Sequence, residues 1–538
     1  MQRPSISPLV PLLVSLALVA GLFLGHGSNT PSQEGRGSFF LLRNSNANDK
    51  VQQVLDLIDR QYVDTVRKQA LVEEVIQDML QRLDPHSYYI SAEELRAAQE
   101  PLDGSFDGIG VEFSIQNDTV VVIAPVEGGP SEALGILAGD RILRADGRNM
   151  AGVGITNQDV MDLLRGPSGS MVTVDLLRRG KASGFQVEIQ RGKVPINSVA
   201  VSLLDEDGTG YIKLIRFART THDEFLTAAQ QLLEQGMQRL VLDLRGNGGG
   251  YLNAAISLAD EFLPEGSMIV YTQGRAHPKQ EYRATDDGLL QEIPLAILID
   301  EGSASASEIV AGAVQDNDRG LIVGRRSFGK GLVQEHMDLP DQSALRLTTA
   351  RYYTPSGRSI QRPYGSGIEY GEDLQARMDH GEFLSADSMR VDSSQLFRTR
   401  AGRAVFGGGG IMPDLFVPAD TAGNTNYLSD LFFSGTLNRF AFEVADAKRQ
   451  RLIELGDPKE FKDRFVVDKA LLNELQRMAN EQGIHPGPGE MQRSSGVITE
   501  RLKANIARNI WGAQGYYGVL LGSDSIYMMA RERLAIES

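Results

Sequence analysis

The chain has 538 residues, and 41% hydrophobic with 23% charged residues is ordinary globular composition, enough for three or four domains. A formal net charge of −16 argues against nucleic acid and against adsorption to an anionic membrane surface, both of which need clustered Lys and Arg. The absence of cysteine excludes disulfides, thiolate metal sites, iron–sulfur clusters and a Cys nucleophile.

Arg3 precedes an apolar run from Leu9 to Leu24, and no further charge appears until Glu34. Sixteen helical residues span about 24 Å, short of a hydrocarbon core of roughly 30 Å. The pattern predicts export, with residues 1–33 as a secretory signal or, since only Gly25-His26-Gly27 stands at the cleavage position, an uncleaved anchor. Membrane contact is expected through this segment alone.

Apolar residues at Val51, Val54, Leu55, Ile58 and Tyr62, then at Leu71, Val72, Val75, Ile76, Met79 and Leu80, keep a 3.6-residue period. They predict two amphipathic helices in an N-terminal region, 46–100. Residues 106–191 turn to short β-rich runs (110–115, 119–124, 141–145, 171–178 and 184–190) around one helix, 157–165. From 210 to 347 strands and helices alternate: strands at 239–244, 268–271, 294–300 and 321–324, helices at 251–262 and 305–315. That alternation predicts an α/β layer with its ligands at the carboxyl ends of the strands. Residues 364–400 read as a long polar loop, and 425–538 as helical.

Three segments carry chemistry. Glu301-Gly-Ser-Ala-Ser-Ala-Ser-Glu308 follows a buried strand and opens a helix, where free backbone N–H groups and the positive end of the dipole suit an oxyanion. The same residues also spell a capping box, Ser305-x-x-Glu308. Gly246-Asn-Gly-Gly-Gly250 joins a strand to a helix and exposes unhindered amides. Gly324-Arg-Arg-Ser-Phe-Gly-Lys330-Gly331 matches a phosphate-loop spacing up to the lysine. However, Gly331 stands where Ser or Thr is needed, and a strand follows instead of a helix. Lys330 fits better as a general base for a serine hydroxyl. Holding it neutral near pH 7 costs about 4–5 kcal/mol, which a dry cleft must supply. Gln334 lies four residues on, where an uncharged amide can orient the amine. His222, His277 and His336 sit in no triad context, there is no Gly-x-Ser-x-Gly elbow at Ser305, and no His-Glu-x-x-His occurs.

With these segments in place, the sequence resembles the carboxyl-terminal processing peptidases, or tail-specific proteases, from about residue 50 to 420. The resemblance is carried by Leu83-Asp-Pro-His-Ser-Tyr-Tyr-Ile90, Asp243-Leu-Arg-Gly-Asn-Gly-Gly-Gly250, Gly302-Ser-Ala-Ser-Ala-Ser-Glu-Ile309 and Phe328-Gly-Lys-Gly-Leu-Val-Gln334. The stretches 350–361 and 408–414 add to it. It implies a multidomain α/β protein: a crotonase-like protease core at 193–420, a PDZ domain at 101–192, and helical regions at either end. It implies Ser305 as nucleophile, Lys330 as base and Gln334 as orienting amide. The oxyanion hole would join the N–H of Ala306 to one from the Gly248–Gly250 loop, with Gly248 and Gly249 foremost. In the PDZ domain Gly108, Ile109, Gly110 and Val111 look like the loop that captures a peptide carboxylate. Arg165 matches the position through which related PDZ domains signal to the protease core.

The expected function is an exported serine endopeptidase acting on protein substrates with accessible C-termini, needing no cofactor or metal. An adaptor protein or a second copy of the chain are the further partners expected of 425–538. The alternative is a catalytically silent PDZ scaffold in the cell envelope, which would need none of Ser305, Lys330 and Gln334.

Overall fold

The computed structural model describes residues 47–181, 183–365 and 369–537. The apolar run from Leu9 to Leu24 lies outside them. Among the described residues no helix is long and apolar enough to cross a membrane.

The chain divides into two units, residues 1–72 and 73–538. In the first, the helix Ala47–Gln61 leads to the start of a second helix, Lys68–Gln81. Lys68 reaches back to Asp56 at 2.9 Å, a half-exposed pair of small energetic weight.

In the second unit the β-rich segment forms an antiparallel sheet in the order Val111–Ile115, Val120–Pro125, Arg141–Ala145, Met171–Leu177 and Phe185–Gln190. Its inward residues, among them Val120, Val122, Ile142, Val174 and Ile189, pack on Val160 and Leu164 of the helix Asn157–Leu164. That helix is capped reciprocally by Thr156 and Asp159, which fixes where it starts. Arg165, predicted as its last residue, is instead its extended C-cap.

The α/β layer is a six-stranded sheet: Val199–Leu204, Thr209–Leu214, Arg239–Asp243, Leu295–Ile299, Leu321–Gly324 and Leu415–Phe416. All but the first pair run parallel. Side chains alternate across its two faces, as the strand period requires. Ile212, Leu240, Leu242, Ile297 and Ile322 pack under the helices Thr221–Glu234, Leu252–Asp260 and Ala306–Asp316. Tyr211, Val241, Ala296, Leu298 and Val323 face the other way, onto the helix Ser525–Glu537.

A second sheet pairs Tyr88–Ile90, Leu332–Asp338 and Met268–Gln273 with the long strand Ala344–Tyr353. It brings residues 84–90 beside Lys330 and Gln334.

Residues 364–400 are not the expected loop. They hold the helix Asp373–Asp379 and the strand Leu396–Arg398, paired with Ala404–Phe406. Most of its charges are exposed, which gives it the look of a loop, but Arg377 and Glu382 turn inward. Buried Arg377 and part-buried Arg326 share the carboxylate of Glu382, and Arg362 pairs with Asp373 at 2.7 Å.

Beyond residue 425 the helices Asn426–Phe433, Thr436–Ile453, Pro458–Arg464, Lys469–Glu481 and Glu490–Leu520 enclose their own core. Asp446 accepts from Arg141 and Arg179, and Arg508 pairs with Glu112, tying this region to the β-rich sheet.

Candidate active site

The strand Leu295–Ile299 is wholly buried and delivers the chain to the Ser303–Ser307 run at its carboxyl end. The three serines are not equivalent. Ser303 donates its hydroxyl to the Leu244 carbonyl at 2.8 Å, and Ser307 donates to the Asn247 carbonyl at 2.8 Å. Both are fully buried and act as pins. Ser305 is part-exposed, and its hydroxyl makes no cap hydrogen bond. Although Ser305 and Glu308 stand in capping-box spacing, the Glu308 amide goes to the Ser305 carbonyl at 2.9 Å. Ser305 also has φ +56° and ψ −110°, a conformation that costs a non-glycine residue about 1–3 kcal/mol and persists only when its surroundings impose it.

The Gly246–Gly250 loop imposes part of it. Asn247 is fully buried, donates to the Leu214 carbonyl, and accepts on its own carbonyl from the Ala304 amide and Ser307. Gly249 has φ +97°, and a Cβ there would lie 2.8 Å from Ser305 Cβ and 2.9 Å from the Ala306 nitrogen. Only glycine permits that approach. The Gly249 amide is already engaged, donating to Asn247 Oδ1 at 2.9 Å. The amides of Gly248, Gly250 and Ala306 take part in no hydrogen bond among the described residues.

Glu308 imposes the rest. It is fully buried, and its two oxygens accept from the amides of Ser305 (2.8 Å), Gly329 (2.7 Å) and Lys330 (2.9 Å) and from the Ser327 hydroxyl (2.5 Å). Burial pushes its carboxyl up to about 7, against the pull of those four donors. Tyr352, on the long strand, aims its hydroxyl at the carbonyls of Ser305 and Lys330. The backbones of Ser305 and Lys330 are thus fastened together on both their donor and acceptor sides.

Lys330 lies just before the strand Leu332–Asp338, not within it, and a bulge between Val333 and Gln334 shifts the register there. Its Nζ donates to Gln334 Oε1 at 3.0 Å, and Gln334 Nε2 donates to the His86 carbonyl. Among the described residues no hydrogen bond joins Lys330 Nζ to Ser305 Oγ. Burial, then the charge of Arg346, lowers the Lys330 pKa, while Glu308 and Asp84 oppose. His86 closes this wall and bonds Tyr370 at 2.9 Å. Burial and the charge of Lys330 lower its pKa to about 4, so it is neutral at physiological pH.

Glu308, Tyr352 and His86 stood in the motifs, but sequence reasoning gave them no role here. Glu308 read as a cap, and the other two reach the site only by strand pairing. The three histidines considered for a triad are engaged elsewhere: His222 with Glu261, His336 with Asp338, and His277 near Glu335. No cluster of three potential metal ligands occurs among the described residues.

In the β-rich domain Ile109 is buried and accepts from the Ser131 amide, while the Gly110 carbonyl accepts from Val126. Gly108 ends the strand Ser105–Gly108, and Val111 opens the edge strand of the sheet. Arg165 abuts this loop, its Cγ 3.6 Å from where a Cβ on Gly108 would stand. Its guanidinium pairs with Glu100 at 2.7 Å and lies 4.4 Å over the Phe106 ring.

Comparison with known proteins agrees with this architecture. Peptidase family S41 matches residues 208–371, a PDZ domain residues 108–189, and the N-terminal domain of the activating protease CtpB residues 28–94. A family of unknown function matches residues 427–512. The carboxy-terminal-processing protease of Bartonella bacilliformis is 39% identical over 320 residues, 59% of this chain and 72% of that one. The carboxy-terminal processing protease CtpB of Bacillus subtilis is 33% identical over 60% of this chain and 67% of that one. A solved photosystem II D1 C-terminal processing protease is 28% identical, covering 70% of this chain and 95% of that one, with a TM-score of 0.36. With a PDZ domain set before an S41 core, the chain belongs to the carboxy-terminal processing proteases, serine peptidases of family S41.

Proposed function

We propose that the chain is an exported endopeptidase that engages protein C-termini through its PDZ domain and cleaves with Ser305 and Lys330. The observation that carries the reading is the inequivalence of the three serines. Ser303 and Ser307 each donate their hydroxyl to a backbone carbonyl, whereas among the described residues the Ser305 hydroxyl donates to none, and Ser305 stands at a helix N-terminus fastened to a largely buried lysine.

Neutral Lys330 donates one N–H to Gln334 Oε1, which leaves its lone pair for the Ser305 hydroxyl proton. Gln334 is held for this by its own bond to the His86 carbonyl. Ser305 Oγ attacks the scissile carbonyl carbon as its proton passes to Lys330. The resulting ammonium protonates the leaving amine, and water, deprotonated by the same lysine, releases the acyl group. The developing oxyanion is received by the Ala306 amide together with one from the glycine loop. Gly248 is favoured over Gly249, whose amide is engaged.

A peptide would add as a strand along the edge Val111–Ile115, its carboxylate at Gly108–Val111. The apolar leader from Leu9 to Leu24 supports export. The test is degradation of an unfolded reporter with an apolar C-terminus. Wild type degrades it, whereas Ser305→Ala and Lys330→Ala do not, and the double variant is no worse than either single one. Equal, negligible turnover by wild type and Ser305→Ala would instead make the protein a PDZ scaffold.

A further inference from the structure

The loop that carries Gly248 is held at its entrance by a residue far along the chain. Arg245 directly precedes the loop, and its guanidinium is shared between two carboxylates. Nε and Nη2 bind Asp243 at 3.0 and 2.6 Å, while Nη1 and Nη2 bind Asp524 at 3.0 and 2.7 Å. Lys213 donates to both Asp243 and the Arg245 carbonyl, so main chain and side chain of Arg245 are fixed together. Asp524 also accepts from the amides of Ile526 and Tyr527, capping the helix Ser525–Glu537. That helix is seated on the sheet by Ile526, Tyr527, Ala530 and Leu534, and by Arg531 on Asp205 and Asp207.

We propose that Asp524 is a positioning residue for peptide hydrolysis: seated by its helix, it holds Arg245 and thereby sets the Gly246–Gly250 loop against Ser305. The inference rests on the catalytic reading above. A two-pronged carboxylate–guanidinium contact fixes direction as well as distance, which a single charge does not. The loop's tolerance is small, because even a Cβ added at Gly249 would fall 2.8 Å from Ser305 Cβ and 2.9 Å from the Ala306 nitrogen. A displacement on the order of 1 Å is enough to lower turnover strongly.

The test compares wild type with Asp524→Asn and Arg531→Gln, reading kcat and KM on a short peptide, Tm, and hydrogen–deuterium exchange over residues 244–250. Asparagine caps a helix as well as aspartate but offers Arg245 no charge. Arg531→Gln removes part-exposed pairs one turn or more beyond Asp524 and leaves both Arg245 and the apolar seat of Ile526, Tyr527, Ala530 and Leu534 in place. The expected result for Asp524→Asn is a kcat lower by roughly ten- to a hundredfold, KM within about twofold, and faster exchange in 244–250. Arg531→Gln should keep wild-type kcat and loop exchange even where its Tm falls as far. Unchanged kcat and exchange in Asp524→Asn, or an equal loss in Arg531→Gln, overturns the proposal. If the Asn variant does not fold, Asp524→Ser, another strong cap without charge, is read the same way. Should wild type hydrolyse no peptide, the catalytic reading fails, while the exchange comparison still decides whether Asp524 holds the loop.

Discussion

The backbone carbonyls of Ser305 and Lys330 converge on one phenol, lying 3.1 and 2.5 Å from Tyr352 Oη. Tyr352→Phe keeps the buried ring and removes this tie. Unfolding in urea should show a loss of about 1–2 kcal/mol. The kcat should fall by about tenfold or more, as the proposed nucleophile Ser305 and base Lys330 lose their shared anchor. Unchanged kcat would show that Glu308 alone fixes their spacing.

Glu308→Gln should be far worse, because an amide NH2 would face donors whichever way it turns. The wild-type carboxyl titrates at about 7, above its ordinary 4.5, so it favours the fold when protonated. That contribution is fully present below pH 4.5 and is lost as pH rises to about 7, a span worth about 3 kcal/mol. Chemical denaturation across this window should show a falling slope in wild type and a flatter, lower line in the variant.

The rising limb of kcat/KM against pH should report Lys330 and lie below the ordinary lysine value of 10.5. Arg346 is one cause of the lowering, so Arg346→Gln should move the limb to higher pH. His86, already neutral above about pH 5, should add no second limb between 6 and 7. A limb that ignores Arg346→Gln would remove Lys330 as the titrating base.

Arg165 touches the Gly108 loop and pairs with Glu100 on the helix Ala92–Asp103, which follows directly on the strand Tyr88–Ile90 beside the site. Ligand arriving at Gly108–Val111 would therefore bear on Arg165 and, through it, on the wall formed by His86. Arg165→Ala and Glu100→Gln should each lower turnover of a saturating short peptide while calorimetry shows the PDZ domain still binding C-terminal peptides. Unchanged turnover at saturation would leave the domain a tether that only raises local concentration.

Much of the candidate site lies in local signals of the sequence. The small residues around Ser305, the glycines of 246–250 and the Lys330–Gln334 spacing each lie within one short segment. Ser305 was singled out by the family resemblance and not by its local pattern, since the difference among the serines depends on the Leu244 and Asn247 carbonyls meeting Ser303 and Ser307. Tyr352 and His86 stand in motif stretches but reach the site by long-range strand pairing, which the local pattern does not specify. The helix Ser525–Glu537 escaped notice as a partner of the core for another reason. Ile526, Tyr527, Ala530 and Leu534 face inward, but Met528, Met529 and Ile536 are exposed, so no clean apolar stripe marks the packed side. In 364–400 the reverse misled: inward-turned Arg377 and Glu382 have the composition of a solvated loop.

The separation of Arg245 and Asp524, 279 residues, has a consequence for the order of assembly. A chain made from its N-terminus lays down the sheet, Ser305 and the glycine loop long before the helix that covers Tyr211, Val241, Ala296 and Leu298. Until that helix emerges, one apolar face of the sheet lies open and Arg245 lacks its second carboxylate. Closing so distant a contact is a late and slow event in folding. If Asp524 positions the loop as proposed, the Gly246–Gly250 segment receives its second hold only once residue 524 has been made.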